Sequence, residues 1–333
     1  MTKSQFLTRP LLVTALLLIP ARSEAARGFS TEETASGITV NYNGKLFTRY
    51  VTDQANKPYL WPLIGPTGKK MTRAYPMQTV DGEQHDHPHH RSIYFGHQNT
   101  HGFDTWHEAQ TWTERKMTPE KLKEKLAGLG STVHRKFTKV ESARDHALIV
   151  TENDYLGGGR KLLADERRIR FHTGKNKRYV DFEITFMAKY GDATLGDMKD
   201  AGFSVRIPTS MAVSSKQGGT ILNSRGHKDG DAWGKRAEWV DYSGPVEGEE
   251  LGIAILNHPK SLRHPTPWHV RTYGLFTANP FGFRSLNRKS AEDGAVHLKL
   301  GEKLVLRHRI VFHVGDAAAA DIAAEFKRYA TEH

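Results

Sequence analysis

Between Val180 and Phe186 apolar residues hold every even position and polar residues every odd one. That period of two is the signature of a strand with one face buried. The same alternation runs through Leu304, Leu306, Ile310, Phe312 and Val314, with Arg307, Arg309 and His313 on the other face. Residues 38–42, 46–51, 133–140, 148–155, 168–172, 251–256 and 270–276 read as strands too, with Gly and Pro between them at short intervals. Strands that follow strands without intervening helices predict an all-β chain, an antiparallel two-sheet β-sandwich. One helix stands out at the end. Asp316 is placed to cap residues 317–329, where Ile322, Phe326 and Tyr329 form a stripe. Residues 118–129 read as a weaker helix or a charged loop. Gly157-Gly158-Gly159 is followed by a second strand pattern rather than a helix, so it reads as a hairpin turn and not as a phosphate cradle. No repeat or break in composition divides the chain, which predicts one domain over residues 28–333.

The first 26 residues break the pattern. Lys3 and Arg9 give a basic start, Leu11 to Ile19 an apolar stretch, and Ser23-Glu24-Ala25 the small residues of a cleavage site. This predicts a signal peptide over 1–26, cleaved near Ala25 or Ala26, and export to the periplasm or beyond. An apolar run of about ten residues is short of the roughly 20 that span a bilayer, and no later segment comes nearer, so no membrane span is expected. The chain has no cysteine, which excludes a disulfide framework, a thiolate metal site and a cysteine nucleophile. Its formal charge is +11. In an exported protein whose basic and acidic residues are interspersed, that charge reads as a solvated surface, and nucleic acid is not an expected partner.

Seven of the 18 histidines fall between His85 and His107, and four of them in His85-Asp86-His87-Pro88-His89-His90-Arg91. If extended, the chain would point His85, His87 and His89 one way and Asp86 and His90 the other. Pro88 restricts the stretch to an edge strand or an ordered loop. A short buried strand, Ile93-Tyr94-Phe95, comes next, and then Gly102-Phe103-Asp104-Thr105-Trp106-His107-Glu108. Three chemistries could use this segment. His87 and His89, two residues apart, could join a third ligand to hold a divalent metal such as Zn or Ca. A histidine near its ordinary pKa could move a proton. Trp106 could stack a sugar ring, with Asp86 and neighbouring polar groups taking the hydroxyls. A second polar group comprises His258 and, beyond it, Arg263, His264, Trp268 and His269 among prolines at strand ends, where loops build clefts. Arg206, on a strand among apolar neighbours, needs an anionic partner.

The stretches DHPHHRSIYFGH and GFDTWHE, with the later GIAILNHP and TPWHVRTYGLFTANPFG, resemble the exported bacterial proteins known as the PmoA family, over residues 35–315. The family label suggests the membrane subunit of a methane monooxygenase, which would need several spans, and this chain offers none. The resemblance implies a setting among sugar oxidoreductases and carbohydrate-degrading proteins. It also implies the two-sheet supersandwich of aldose epimerases (galactose-mutarotase-like). It places His87, His89, His90, Arg91, His107 and Glu108 in the candidate site, with His258, His264 and His269 facing them. The resulting expectation is an exported carbohydrate-active enzyme that cleaves or isomerises a sugar, an oxidised sugar or a glycoside. His90 or His107 would serve as acid or base with Glu108 as carboxylate partner. Arg91 and Arg206 would steady an oxyanion, and Trp106 and Trp268 would stack the ring. Two alternatives stay open at this point, a non-catalytic carbohydrate-binding protein and an envelope metal-binding protein.

Overall fold

Period-two alternation becomes strand wherever both faces of the segment find cover. The computed structural model describes Met1 and residues 27–332; the leader expected over residues 1–26 lies, Met1 aside, outside them. The chain opens with β1 (Phe29–Thr34), β2 (Gly37–Tyr42), β3 (Lys45–Val51), β4 (Tyr59–Leu60) and β5 (Ile93–His97). Two helices follow, α1 (Ala109–Thr113) and α2 (Pro119–Ala127). Four long strands come next, β6 (Gly130–Ser142), β7 (His146–Gly157), β8 (Arg160–Gly174) and β9 (Lys177–Met187). They lead to β10 (Ala193–Leu195), β11 (Ala201–Arg206), β12 (Thr220–Asn223), β13 (Arg236–Ala237) and β14 (Trp239–Val246). The chain closes with β15 (Glu249–Asn257), β16 (Thr266–Val270), β17 (Leu275–Ala278), β18 (Val296–Leu298), β19 (Lys303–Val314) and α3 (Ile322–Tyr329).

Nine strands form one antiparallel sheet in the order β1-β2-β3-β4-β5-β11-β17-β16-β13, and eight form a second in the order β12-β14-β15-β19-β9-β8-β7-β6. The expected all-β two-sheet sandwich with a short C-terminal helix is what the chain adopts. Ile93, Phe95, Phe203 and Val205 of the first sheet meet Ile184, Phe186, Ile253 and Ile310 of the second in one apolar cluster. Each such side chain contributes about 1.5–3 kcal/mol by leaving water.

Alternation sends the neighbours of these residues to the far face of the nine-stranded sheet. There Val51, Tyr59, Tyr94 and Leu275 gather with Trp106 from a loop in a second apolar cluster. On the far face of the eight-stranded sheet, Ile322 and Tyr329 of α3 pack on Tyr179, Ala254 and Val311. Among the described residues no helix is long and apolar enough to cross a membrane.

Two local expectations change. Residues 270–276 are not one strand but the end of β16, a turn and the start of β17, because Gly274 takes φ +103°. The last helix begins later than a cap at Asp316 would place it. Asp316 accepts from Ala319 in a turn, and Asp321, itself left-handed at φ +50°, caps α3 through Ala324 N. Residues 118–129 do form a helix, α2, capped by Thr118 with Pro119 at its first turn. The Gly-rich turn joins β7 to β8 with Gly158 at φ +56° and Gly159 at φ +74°, the two left-handed positions that a two-residue hairpin requires.

His308 lies inside the sandwich, stacked on Phe203 with ring centroids 4.9 Å apart, and burial lowers its pKa to about 3. The unfolded chain takes a proton at this imidazole near pH 6.5 and the folded one does not, so this part of the stability is present above pH 6.5 and lost as pH falls. Denaturant unfolding should show about 2 kcal/mol of this loss between pH 7 and pH 5. His308→Phe should remove that share of the slope, and an unchanged slope would show that the ring is not buried neutral.

Candidate functional site

The histidine-rich segment runs through the loop between β4 and β5, over the far face of the nine-stranded sheet. It is not extended. His87 takes φ +46°, and His90 N donates to His87 O in a tight turn. A left-handed residue other than glycine costs about 1–2 kcal/mol, offset here by buried contacts. The turn cancels the expected alternation and brings His87, His89 and His90 together. His87 stacks on His90 at 4.7 Å, and His89 lies 4.4 Å from His90 and 4.5 Å from His107. His85 goes elsewhere, stacked on Tyr75.

Two ionic knots hold this loop. In the first, the buried Arg73 and Arg206 share Asp86 Oδ1, at 2.5 and 2.7 Å. Arg73 also donates to His87 O, and Arg206 to Gln84 Oε1. Burial works to raise the Asp86 carboxyl, but His87, Arg206 and Arg73 outweigh it and hold the group well below the usual carboxylate range. Burial and the neighbouring Arg206 bring Arg73 down to about 10, still charged at neutral pH.

In the second knot Arg91 grips Glu108 with three bonds, Nε to Oε1 at 2.8 Å and to Oε2 at 3.0 Å, and Nη2 to Oε2 at 2.6 Å. The wholly buried Lys57 reaches the same carboxylate at 3.2 Å and donates to Trp106 O at 2.8 Å. Burial works to raise Glu108, yet Lys57 and Arg91 keep it ionised and low. Burial lowers Lys57, partly opposed by Glu108.

Three histidines are anchored in the same way. His89 Nδ1 lies 2.8 Å from Thr111 Oγ1, and His107 Nδ1 lies 2.8 Å from Asp104 Oδ2. His90 Nδ1 is 3.4 Å from Arg206 Nη1. Among the described residues no protein hydrogen bond engages the Nε2 of any of the three. Asp104 Oδ1 accepts from the backbone of both Trp106 and His107, so its other oxygen is aimed at the ring. A carboxylate only accepts, so His107 Nδ1 carries the hydrogen, and in the neutral ring Nε2 presents a lone pair. A guanidinium only donates, so His90 Nδ1 accepts and its Nε2 carries the hydrogen. Burial first, then neighbouring cations and histidines, drives His89 and His90 well below their ordinary pKa, so both are neutral.

The expected residues divide. Asp86, His87, His89, His90, Arg91, Trp106, His107, Glu108 and Arg206 come together. His269 joins at the edge, with Nδ1 2.6 Å from Lys199 O and its ring 6.4 Å from Trp106. His264 does not join, because it bonds Asn257 and stacks on Phe326 of α3; His258 likewise bonds Glu332 O. Arg263 is spent on the carbonyls of Pro280, Gly294 and Ala295.

Trp106 and Trp268 have no exposed surface and offer no face to a sugar. Trp268 is a core residue bonded to Ala237 O. Glu108 is not the partner of His107 but of Arg91 and Lys57, and Asp104 takes the expected role. Among the described residues no three His, Asp or Glu side chains are arranged to hold a metal ion. Lys57, Arg73, Asp104 and Tyr273, whose ring stacks on His87 at 5.1 Å, were missed. Only Asp104 carried a signal, three residues before His107.

A family model described as a family of unknown function (DUF6807) matches residues 37–327. The chain belongs to this family. No curated protein matches the chain. Among solved structures the chain is similar to a galactose mutarotase related enzyme from Lactobacillus acidophilus, 8% identical with a TM-score of 0.34, covering 86% of this chain and 97% of that one.

A cleft of about 360 Å³ opens on the far face of the other sheet, lined by Arg168, Arg170, Glu183, Arg307 and Glu332 among others. Its charges largely serve one another, as in Arg307 on Glu183 at 2.6 Å and Arg309 on Asp181 and Glu332. It is a solvated charge ladder.

Removing the Glu108 charge tests the second knot. Glu108→Gln strands Lys57 and Arg91 in a buried setting and should cost about 3–5 kcal/mol by urea unfolding. A loss under about 1 kcal/mol would place the trio in solvent.

Proposed function

We propose that the protein is an exported carbohydrate-active enzyme that moves a proton on an oxidised sugar, at a carbon next to a carbonyl. The observation that carries this reading is the pairing of opposite tautomers. His107 presents a lone pair at Nε2, backed by Asp104, and His90 presents an N–H at Nε2, set by Arg206. A general base and a hydrogen-bond donor thus stand in one cluster.

In this scheme His107 takes the proton from carbon, and Asp104 steadies the imidazolium that forms. His90 donates to the carbonyl oxygen as negative charge builds there. Its low pKa suits that task, because a neutral imidazole can hydrogen-bond an enolate without first giving up a proton. His89, between the two, is in reach of the adjoining hydroxyl. Return of the proton to the other face isomerises the sugar; loss of a group from the next carbon cleaves it. Arg91 and Glu108 position the loop and take no part in the proton transfer.

The partner is a small sugar or the end of an oligosaccharide. No metal takes part in the scheme, which uses only the side chains named.

A panel of aldoses, uronic acids and keto-sugars in deuterated water, followed by NMR, tests this. Wild type should wash deuterium into a carbon next to the carbonyl of at least one sugar. Asp104→Asn and His107→Ala should slow the exchange on the order of 10²–10⁴-fold while binding changes little. A sugar that binds but exchanges no faster with wild type than with His107→Ala would reduce the site to a binding module.

A further inference from the structure

Four cationic side chains line the histidine cluster, and they share two carboxylates. Lys57 and Arg91 meet on Glu108, and Arg73 and Arg206 meet on Asp86. The other nearby acids are committed to other partners. Asp104 faces His107, and Glu83 accepts from the backbone of Ala74 and Tyr75. Asp200 is engaged by Lys199.

The hydrogen-bond count shows the same surplus of donors. Arg206 is 1% exposed, and its Nε has no partner; nor has the indole Nε1 of Trp106 or the hydroxyl of Tyr94. These residues touch the cluster. The Trp106 ring is 5.8 Å from His90 and 5.3 Å from Tyr94, and Arg206 lies against His90. Indole and guanidinium can only donate, and a buried donor without an acceptor costs about 1–3 kcal/mol. Donors in the cluster therefore outnumber their acceptors, and an acceptor with negative charge complements them.

We infer that the site selects a sugar bearing a carboxylate, a uronate or an aldonate, whose anionic group is drawn to the positive side of the cluster formed by Arg206, Arg73 and the His90 N–H. The inference rests on the reading of this cluster as a sugar site, and it names the class of sugar. Geometry supports the choice of a carboxylate over a neutral group. Arg206 is held over Tyr273, its Cζ 4.8 Å from the ring centroid, and Arg73 is fixed by four bonds from its guanidinium to loop carbonyls and Asp86. Such fixed donors lose little freedom on binding an anion.

Titration calorimetry on the purified wild-type protein decides the point with matched probes: D-glucuronate against D-glucuronamide and D-glucose, D-galacturonate against D-galactose, and D-gluconate against sorbitol. At least one acid should bind roughly tenfold or more tighter than its neutral counterpart, as a charge-assisted contact predicts. Raising salt from about 50 to 500 mM should weaken that acid and leave the neutral sugars unchanged. Arg206→Lys, which keeps the charge and loses the fork, should weaken the acid severalfold. Because that variant also disturbs Asp86, the wild-type comparison of acid with amide is the deciding measurement. Amide or neutral sugar binding as well as the acid overturns the inference, and so does the failure of all three acids to bind. Repeating the titration with His107→Ala separates the two readings. Acid-selective binding without exchange by either protein keeps this inference and removes the proton-transfer reading, whereas exchange confined to neutral sugars does the reverse.

Discussion

The arrangement of the site depends on one buried carboxylate. Glu108 opens α1 and draws Lys57 from the loop after β3 and Arg91 from the loop before β5 onto the same face of the nine-stranded sheet. Without that attraction each of these groups would be a costly buried charge. With it, three loops far apart in sequence become one roof over Tyr94 and Trp106. The Lys57 bond to Trp106 O fixes the indole beneath the histidines. Desolvated ion pairs of this kind add little net stability compared with apolar packing, yet they are costly to break singly. Their effect here is to fix a geometry.

That geometry explains why the histidine cluster sits outside the sandwich rather than within it. The core between the sheets is filled by branched and aromatic side chains, and a group such as His308 survives there only uncharged. The far face of the nine-stranded sheet is covered by loops instead of a helix, and loops bring polar groups that must find partners. Asp86, Glu108 and Asp104 supply them, each holding a base or cation in one orientation. The eight-stranded sheet meets the same need differently, with α3 over part of its far face and a ladder of alternating charges over the rest. One face is therefore settled by mutual charge pairing, while the other keeps imidazole nitrogens without protein partners.

The strands were legible in the sequence because their signal is local. Alternation in β9 and β19 states which side faces the core, and the hairpin glycines state where the chain reverses. The histidine cluster was legible as a place, since four imidazoles in seven residues are hard to miss. Its internal arrangement was not. The expectation that His90 would point away from His87 and His89 assumed an extended chain, and one left-handed residue at His87 undid it. The tryptophans misled for a related reason. An indole in a polar motif can face solvent or close the core, and which it does depends on loops that the motif does not contain.

The sequence by itself determined the fold class, the absence of thiol chemistry, and the segment in which imidazole and guanidinium concentrate. These follow from composition and from patterns within a strand's length. Tertiary structure alone decided the partners: Lys57 with Glu108 across 51 residues, Arg206 with Asp86 across 120, and Asp104 rather than Glu108 behind His107. Ion pairs and ring tautomers depend on distances of about 3 Å between side chains. Such distances are set by sheet register and loop closure, which the order of residues along the chain does not state.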